Sequence, residues 1–134
     1  HRGMQSLVRD LNNVYKSLPA LHELDSDGAG FVWVQVDNHQ TSIFAWLRQG
    51  VNGTSTALVV SNLTPTVHLD YHVGVPASGF YIERLNTDAV AYGGSNVGNF
   101  GGLHAREEPC DGQPYCLHMS LPPLATVIFQ LEPL

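Results

Sequence analysis

Residues 57–86 read ALVVSNLTPTVHLDYHVGVPASGFYIERLN, and this stretch decides the fold. Three short runs rich in Val, Leu, Ile and Tyr are set apart by Pro65 and Pro76, which fall where a missing N–H breaks no ladder bond. Within the middle run Val67, Leu69, Tyr71 and Val73 alternate with His68, Asp70 and His72. A period of two is that of a strand with one apolar face and one polar face. Similar runs lie on either side, so that candidate strands fall at 31–36, 42–48, 57–63, 67–75, 79–86, 116–121 and 125–131. Their spacing, about 8 to 12 residues, is that of a sandwich or barrel. Asn52-Gly53 supplies the positive φ angles of a tight hairpin, so the runs at 42–48 and 57–63 should pair. The Pro122-Pro123 pair also punctuates between runs. The expected fold class is all-β: an antiparallel β-sandwich of Greek-key type, with about seven or eight strands and one N-terminal α-helix.

That helix is written at a different period. Met4, Leu7, Val8, Leu11, Val14, Tyr15 and Leu18 form one stripe at 3.6 residues per turn, and the helix should end near Ser17, before Pro19. It begins almost at His1 with no initiator Met and no capping residue ahead of it, which reads as a cut start. Its stripe must pack on something, either this domain's own sheet or a partner that precedes it.

Composition bounds the rest. The chain has 134 residues, enough for one domain that buries roughly two-thirds of its unfolded surface. Its formal charge is -6 and Lys16 is its only lysine. No basic field exists to hold phosphates, so nucleic acid and anionic membranes are poor partners. With 43% hydrophobic and 13% charged residues the chain is too apolar for disorder, and its apolar runs are too interrupted for a membrane span. Cys110 and Cys116 are too few for a secreted disulfide framework.

The segment 86–108, NTDAVAYGGSNVGNFGGLHAREE, fits neither period. A loop of this length is costly to order and is usually functional or interfacial. Its glycines match no phosphate-binding register and serve turns and close packing. Tyr92 and Phe100 lie in this loop, where an exposed ring has room to meet a sugar ring, whereas Trp33 and Trp46 sit inside strands among apolar neighbours.

No catalytic constellation stands out. No nucleophile elbow occurs, and Asp70, Glu83 and Asp88 offer carboxylates without singling out a pair. His68, Asp70 and His72 stand roughly 6 to 7 Å apart along one strand face; two could converge on an ion but three hardly could, and the simpler reading is a polar face in water. His1, His22, His39, His104 and His118 are scattered, and no metal and no cofactor is expected. Cys110 and Cys116 flank a Gly- and Pro-marked turn and either face each other and oxidise or stay as two small apolar side chains. Asn52-Gly-Thr54 and Asn62-Leu-Thr64 match the glycosylation pattern but carry no weight without a signal peptide.

Three motifs in order carry a resemblance over nearly the whole chain. HRGMQSLVRDLNNVYKSLPALHELD (1–25), LNTDAVAYGGSNVGNFGG (85–102) and LPPLATVIFQL (121–131) are similar to the last barrel helix, the glycine-rich loop and the closing strand of the C-terminal part of bacterial 1,4-α-glucan branching enzymes, of the α-amylase superfamily. The resemblance implies that residues 1–18 are the final helix of a catalytic (β/α)8 barrel and 19–134 a C-terminal all-β domain. It implies a parent that transfers α-1,4-glucan segments to 6-hydroxyls in glycogen biosynthesis, with its catalytic carboxylates upstream of His1, and a cytoplasmic location. Partners are then the upstream barrel, met by the helix face of Met4, Leu7, Leu11 and Val14, and α-glucan, met by Tyr92 or Phe100. The alternative is a stand-alone sugar- or metal-binding sandwich. The Cys110–Cys116 segment departs from the family pattern, as do the connections at 26–30 and near Asn38, and no role follows for them.

Overall fold

A computed structural model describes residues 2–36, 42–53 and 55–133; His1, His39, Thr54 and the connection near Asn38 lie outside the described residues. Helix α1 spans Arg2–Ser17 and stops where Pro19 forbids continuation, its last turn closed by Leu18 N–H donating to the Val14 carbonyl at 3.0 Å. Among the described residues eight strands follow: β1 Phe31–Gln35, β2 Ile43–Gln49, β3 Thr56–Asn62, β4 His68–Val75, β5 Phe80–Asn86, β6 Gly102–His104, β7 Tyr115–Leu121 and β8 Ala125–Leu131. Six form one sheet in the order β1-β2-β3-β8-β5-β6, and β4 and β7 form a second. All pairings are antiparallel. The chain crosses between the sheets at β3 to β4, β4 to β5, β6 to β7 and β7 to β8, as a sandwich requires.

The β2–β3 hairpin forms as its turn dictates, with Gln49 opposite Thr56 and Asn52 and Gly53 at φ of 54° and 68°. Two features depart from the sequence pattern. The short strand β6 grows out of the glycine-rich segment, where no strand is expected; Gly102 lets it close on β5, since a Cβ there would meet the Tyr81 carbonyl at 2.5 Å. In β4 the register shifts between His68 and Tyr71. This bulge breaks the alternation, so Leu69, expected inward, is largely exposed, while Tyr71, Val73 and Val75 face the core.

The main core lies between the sheets. Tyr81 and Phe129 are its largest fully buried side chains, with Leu47, Leu58, Leu117 and Met119 packed around them; each such side chain stabilises the fold by about 1.5–3 kcal/mol. Tyr81 donates its hydroxyl to the Ala77 carbonyl at 2.9 Å, and burial pushes its pKa up to about 12. A second, smaller core sits on the outer face of the large sheet. Val14, Leu18 and Ala20 pack there against Ala57, Val59, Leu85 and Ile128. Helix α1 thus docks on this domain's own sheet.

Candidate functional site

The glycine-rich segment is ordered by three side chains that take up its loose backbone groups. Asp88, buried, accepts from Ser95 N (3.1 Å), Ser95 Oγ (2.6 Å) and Val97 N (3.1 Å). Burial acts to raise its carboxyl, but these hydrogen bonds outweigh it and hold the group below the usual carboxylate range. Asn86 donates to the Val97 carbonyl at 2.7 Å and accepts from Asp88 N at 2.8 Å. Asn99 bridges to β7, donating to the Ser120 carbonyl and accepting from Ser120 N at 2.7 Å. Gly94 is demanded by contact, because a Cβ there would lie 2.2 Å from the Asp88 carbonyl oxygen.

Held this way, the loop walls a pocket of about 230 Å³ bordered by Glu83, Asn86, Asn96, Asn99 and Phe100. Burial raises the Glu83 carboxyl, partly offset by hydrogen bonds from Asn99, whose amide donates at 2.7 Å. Phe100 stands fully exposed at the rim with φ of 52°, a left-handed conformation that costs a non-glycine residue of order 1–2 kcal/mol. An aromatic face beside a carboxylate and carboxamides suits a polyhydroxylated ligand, which offers C–H faces to stack and hydroxyls to bond. Tyr92 is placed differently. Its ring packs against the outer core and its hydroxyl donates to Asp10 of α1 at 2.6 Å, which lowers the Asp10 carboxyl. Tyr92 thereby ties the loop to the helix.

The four helix residues expected to meet a barrel divide. Val14 is buried and Leu7 partly buried against this domain. Met4 and Leu11 face outward with Val8 and Tyr15, at 63%, 43%, 49% and 45% exposure respectively. Beside them a groove of about 520 Å³ runs between α1 and the sheet, floored by Trp46, Val59 and Ile128 and rimmed by Arg48, which donates to Asp25 at 2.7 Å. Trp33 stands exposed at the sheet edge, edge-to-face with Trp46 at 5.8 Å, so of the two tryptophans only Trp46 packs on a core.

His68 packs edge-to-face on Tyr71, apart from Asp70 and His72, which lie 3.3 Å from each other. The residues that join Asp70 and His72 come from a different strand and loop, His118 and Glu108. Cys110 and Cys116 are free thiols, Cys110 donating to Asp111 at 3.5 Å and Cys116 to the Leu117 carbonyl at 3.7 Å. Asn62 is buried, donating to the Thr66 and Pro122 carbonyls, both at 2.9 Å.

Eight described strands in two antiparallel sheets, with a helix on the outer face of the larger one, define an all-β sandwich domain. The family described as alpha amylase, C-terminal all-beta domain, matches residues 33–132, and the chain belongs to that family. More particularly, it is similar to 1,4-alpha-glucan branching enzymes GlgB: 54% identical over 131 residues to that of Cupriavidus pinatubonensis, 51% over 134 residues to that of Cupriavidus necator and 48% over 132 residues to that of Roseobacter denitrificans. These matches cover 97%, 99% and 98% of this chain and 18% of each relative, so the chain spans under a fifth of the length of these curated relatives. Among the described residues no helix is long and apolar enough to cross a membrane.

Proposed function

We propose that the chain is the non-catalytic C-terminal domain of a cytoplasmic 1,4-α-glucan branching enzyme, and that it packs on and stabilises the catalytic (β/α)8 barrel. The observation that carries this reading is the outward stripe Met4, Val8, Leu11 and Tyr15 on a helix whose opposite flank is already buried. A helix apolar on two flanks sits between two bodies. The likeness to branching enzymes over 18% of their length supports a catalytic domain of the same parent as the second body. Residues 1–18 then belong to the seam: Val14 and Leu18 hold the helix to the β-domain, and Met4 and Leu11 meet the barrel.

The test is complementation. The Cupriavidus pinatubonensis relative, truncated to remove its matching 131 residues, is mixed with this chain. Expected are a 1:1 complex and a raised melting temperature of the truncated partner, both abolished by Met4→Asp/Leu11→Asp while the chain's own melting temperature is unchanged. Absence of a complex with the unmodified chain overturns the proposal, as does branching activity of this chain alone on amylose.

A second role is favoured by Phe100, a fully exposed ring held in left-handed backbone beside the Glu83 pocket. On this reading Phe100 is a stacking platform for α-glucan, and Tyr92 positions its loop. Affinity electrophoresis in glycogen gels tests it. Retardation lost in Phe100→Ala is expected, and unretarded migration of the parent chain refutes it.

A further inference from the structure

The outer face of the two-stranded sheet gathers side chains that no single element supplies. The β4–β7 register sets His72 opposite His118 and Gly74 opposite Cys116. Leu117, Met119 and Leu121 point into the core, so Cys116 and His118 alternate onto the outer face. The two imidazoles stack there, with centroids 3.7 Å apart and planes at 22°. The segment between β6 and β7 then folds back over them. Arg106 exchanges backbone hydrogen bonds with Cys116, at 2.8 and 3.0 Å, which buries the Cys116 thiol and carries Glu108 to the Nε2 of His118. Gly74 permits this cover, since a Cβ at that position would lie 2.0 Å from the Cys110 carbonyl oxygen.

One donor atom from each of His72, Glu108, Cys116 and His118 thus lies within 4.8 Å of every other. We propose that these four residues bind a zinc ion, in a closed structural site that fastens β4, β7 and the covering segment together. Tetrahedral zinc with bonds of about 2.0–2.3 Å places its ligand atoms roughly 3.3–3.8 Å apart. The four donor atoms, all within 4.8 Å of one another, stand close to that spacing. The donor set is selective: a thiolate with two imidazoles suits zinc, whereas magnesium and calcium take oxygen ligands in higher number. Asp70 lies 3.3 Å from His118 Nδ1, the ring nitrogen remote from Glu108, where a carboxylate fixes the tautomer that leaves Nε2 free to ligate. On binding, the Cys116 sulfur gives up its proton to solvent and the two imidazoles ligate in the neutral form, so the site holds zinc as a thiolate, a carboxylate and two neutral nitrogens. Asp70 and Glu108 flanking His118 form the competing arrangement, an imidazolium held by two carboxylates with no metal.

The experiment titrates Co2+, then Zn2+, into the chain after chelator treatment, under a non-thiol reductant that keeps Cys110 and Cys116 free. Expected are 1:1 saturation, visible bands of tetrahedral Co2+, a near-ultraviolet sulfur-to-cobalt band, and displacement of all of them by one equivalent of Zn2+. Cys116→Ser removes the sulfur band. His72→Ala, at an exposed position that leaves the core intact, weakens Co2+ binding by about 100-fold or more, and Asp70→Asn weakens it by about tenfold. Circular dichroism reports whether each variant is folded. Should Cys116→Ser not fold, His72→Ala decides. No saturable binding by the folded parent chain overturns the proposal, as does saturable binding without a sulfur band or binding that His72→Ala leaves unchanged.

Discussion

Asp88→Ala should unfasten the glycine-rich loop, and its cost can be worked from the hydrogen bonds. Asp88 accepts three from Ser95 and Val97 while itself buried. Bonds to a charged acceptor contribute about 1.5–3 kcal/mol each. The freed donors lie on a loop that water can reach and the terms are not additive, which sets the expected loss near the lower bound of their sum, about 4 kcal/mol. With an unfolding entropy near 0.3 kcal/mol/K for a chain of this length, the melting temperature falls by about 13 °C. Asp88→Asn keeps one acceptor oxygen and loses the charge, so its fall should be about half as large. The pH dependence has a definite sign. Although burial works to raise the Asp88 carboxyl, its hydrogen bonds place the folded value below the unfolded value of 3.8. Its contribution is complete above pH about 5 and is lost as the pH falls through the lowered folded value. The gap between parent and Asp88→Asn, followed by thermal melts from pH 7 to pH 3, should therefore hold steady and then narrow below pH 4. An Asp88→Ala melt within about 3 °C of the parent at pH 7 refutes the reasoning, as does a gap that does not narrow in acid.

Phe129→Ala empties a fully buried site between the sheets and should cost about 3–5 kcal/mol, read as a melting shift of 10 °C or more. Glu83→Gln keeps an acceptor for the Asn99 amide and removes a charge whose burial is unfavourable; since the folded carboxyl is raised, the ionised form is penalised above the unfolded value of 4.5 and relieved in acid. The variant should melt slightly higher than the parent at pH 7, and the difference should vanish near pH 3. Gly74→Ala drives a methyl into the Cys110 carbonyl, which should cost about 1–3 kcal/mol and weaken Co2+ binding by displacing the covering segment that carries Glu108.

The seven expected strands, the Asn52-Gly53 hairpin and the end of α1 at Pro19 were legible because each is a local decision: side-chain alternation, a positive φ, a missing N–H. The outward position of Leu69 was not, since one residue inserted into β4 by a bulge inverts its face and leaves no periodic trace. The three residues of β6 are too short to alternate and pair only because Gly102 allows close approach to β5. In the candidate site Phe100 was legible as a ring in a glycine-rich loop, but Tyr92 shares that context, and only Asp10, 82 residues away in sequence, separates their roles. The helix stripe read as one surface because hydrophobicity does not record which body each residue meets. The His72 cluster was half legible. Asp70 and His72 belong to one strand, whereas His118, Cys116 and Glu108 arrive through register and through a backbone pairing at Arg106 that no spacing encodes.

The two sheets also differ in what holds them. In the large sheet β3 and β8 are paired on both edges and packed on both faces, by the main core inside and by α1 outside. The small sheet has two strands, and a pair that size is marginal in water unless something covers it. Its inner face is secured by Val73, Val75, Leu117 and Met119. Its outer face carries imidazoles, carboxylates and a thiol, which add little hydrophobic stabilisation but converge on one point. A single ion there would act where the fold is thinnest, replacing the apolar layer that α1 supplies to the opposite sheet. Because Cys116 lies on β7, whose Leu117 and Met119 are in the main core, while Glu108 lies on the covering segment and reaches the sheet through His118, removal of the ion would loosen the covering segment around Glu108 first and leave the sandwich folded.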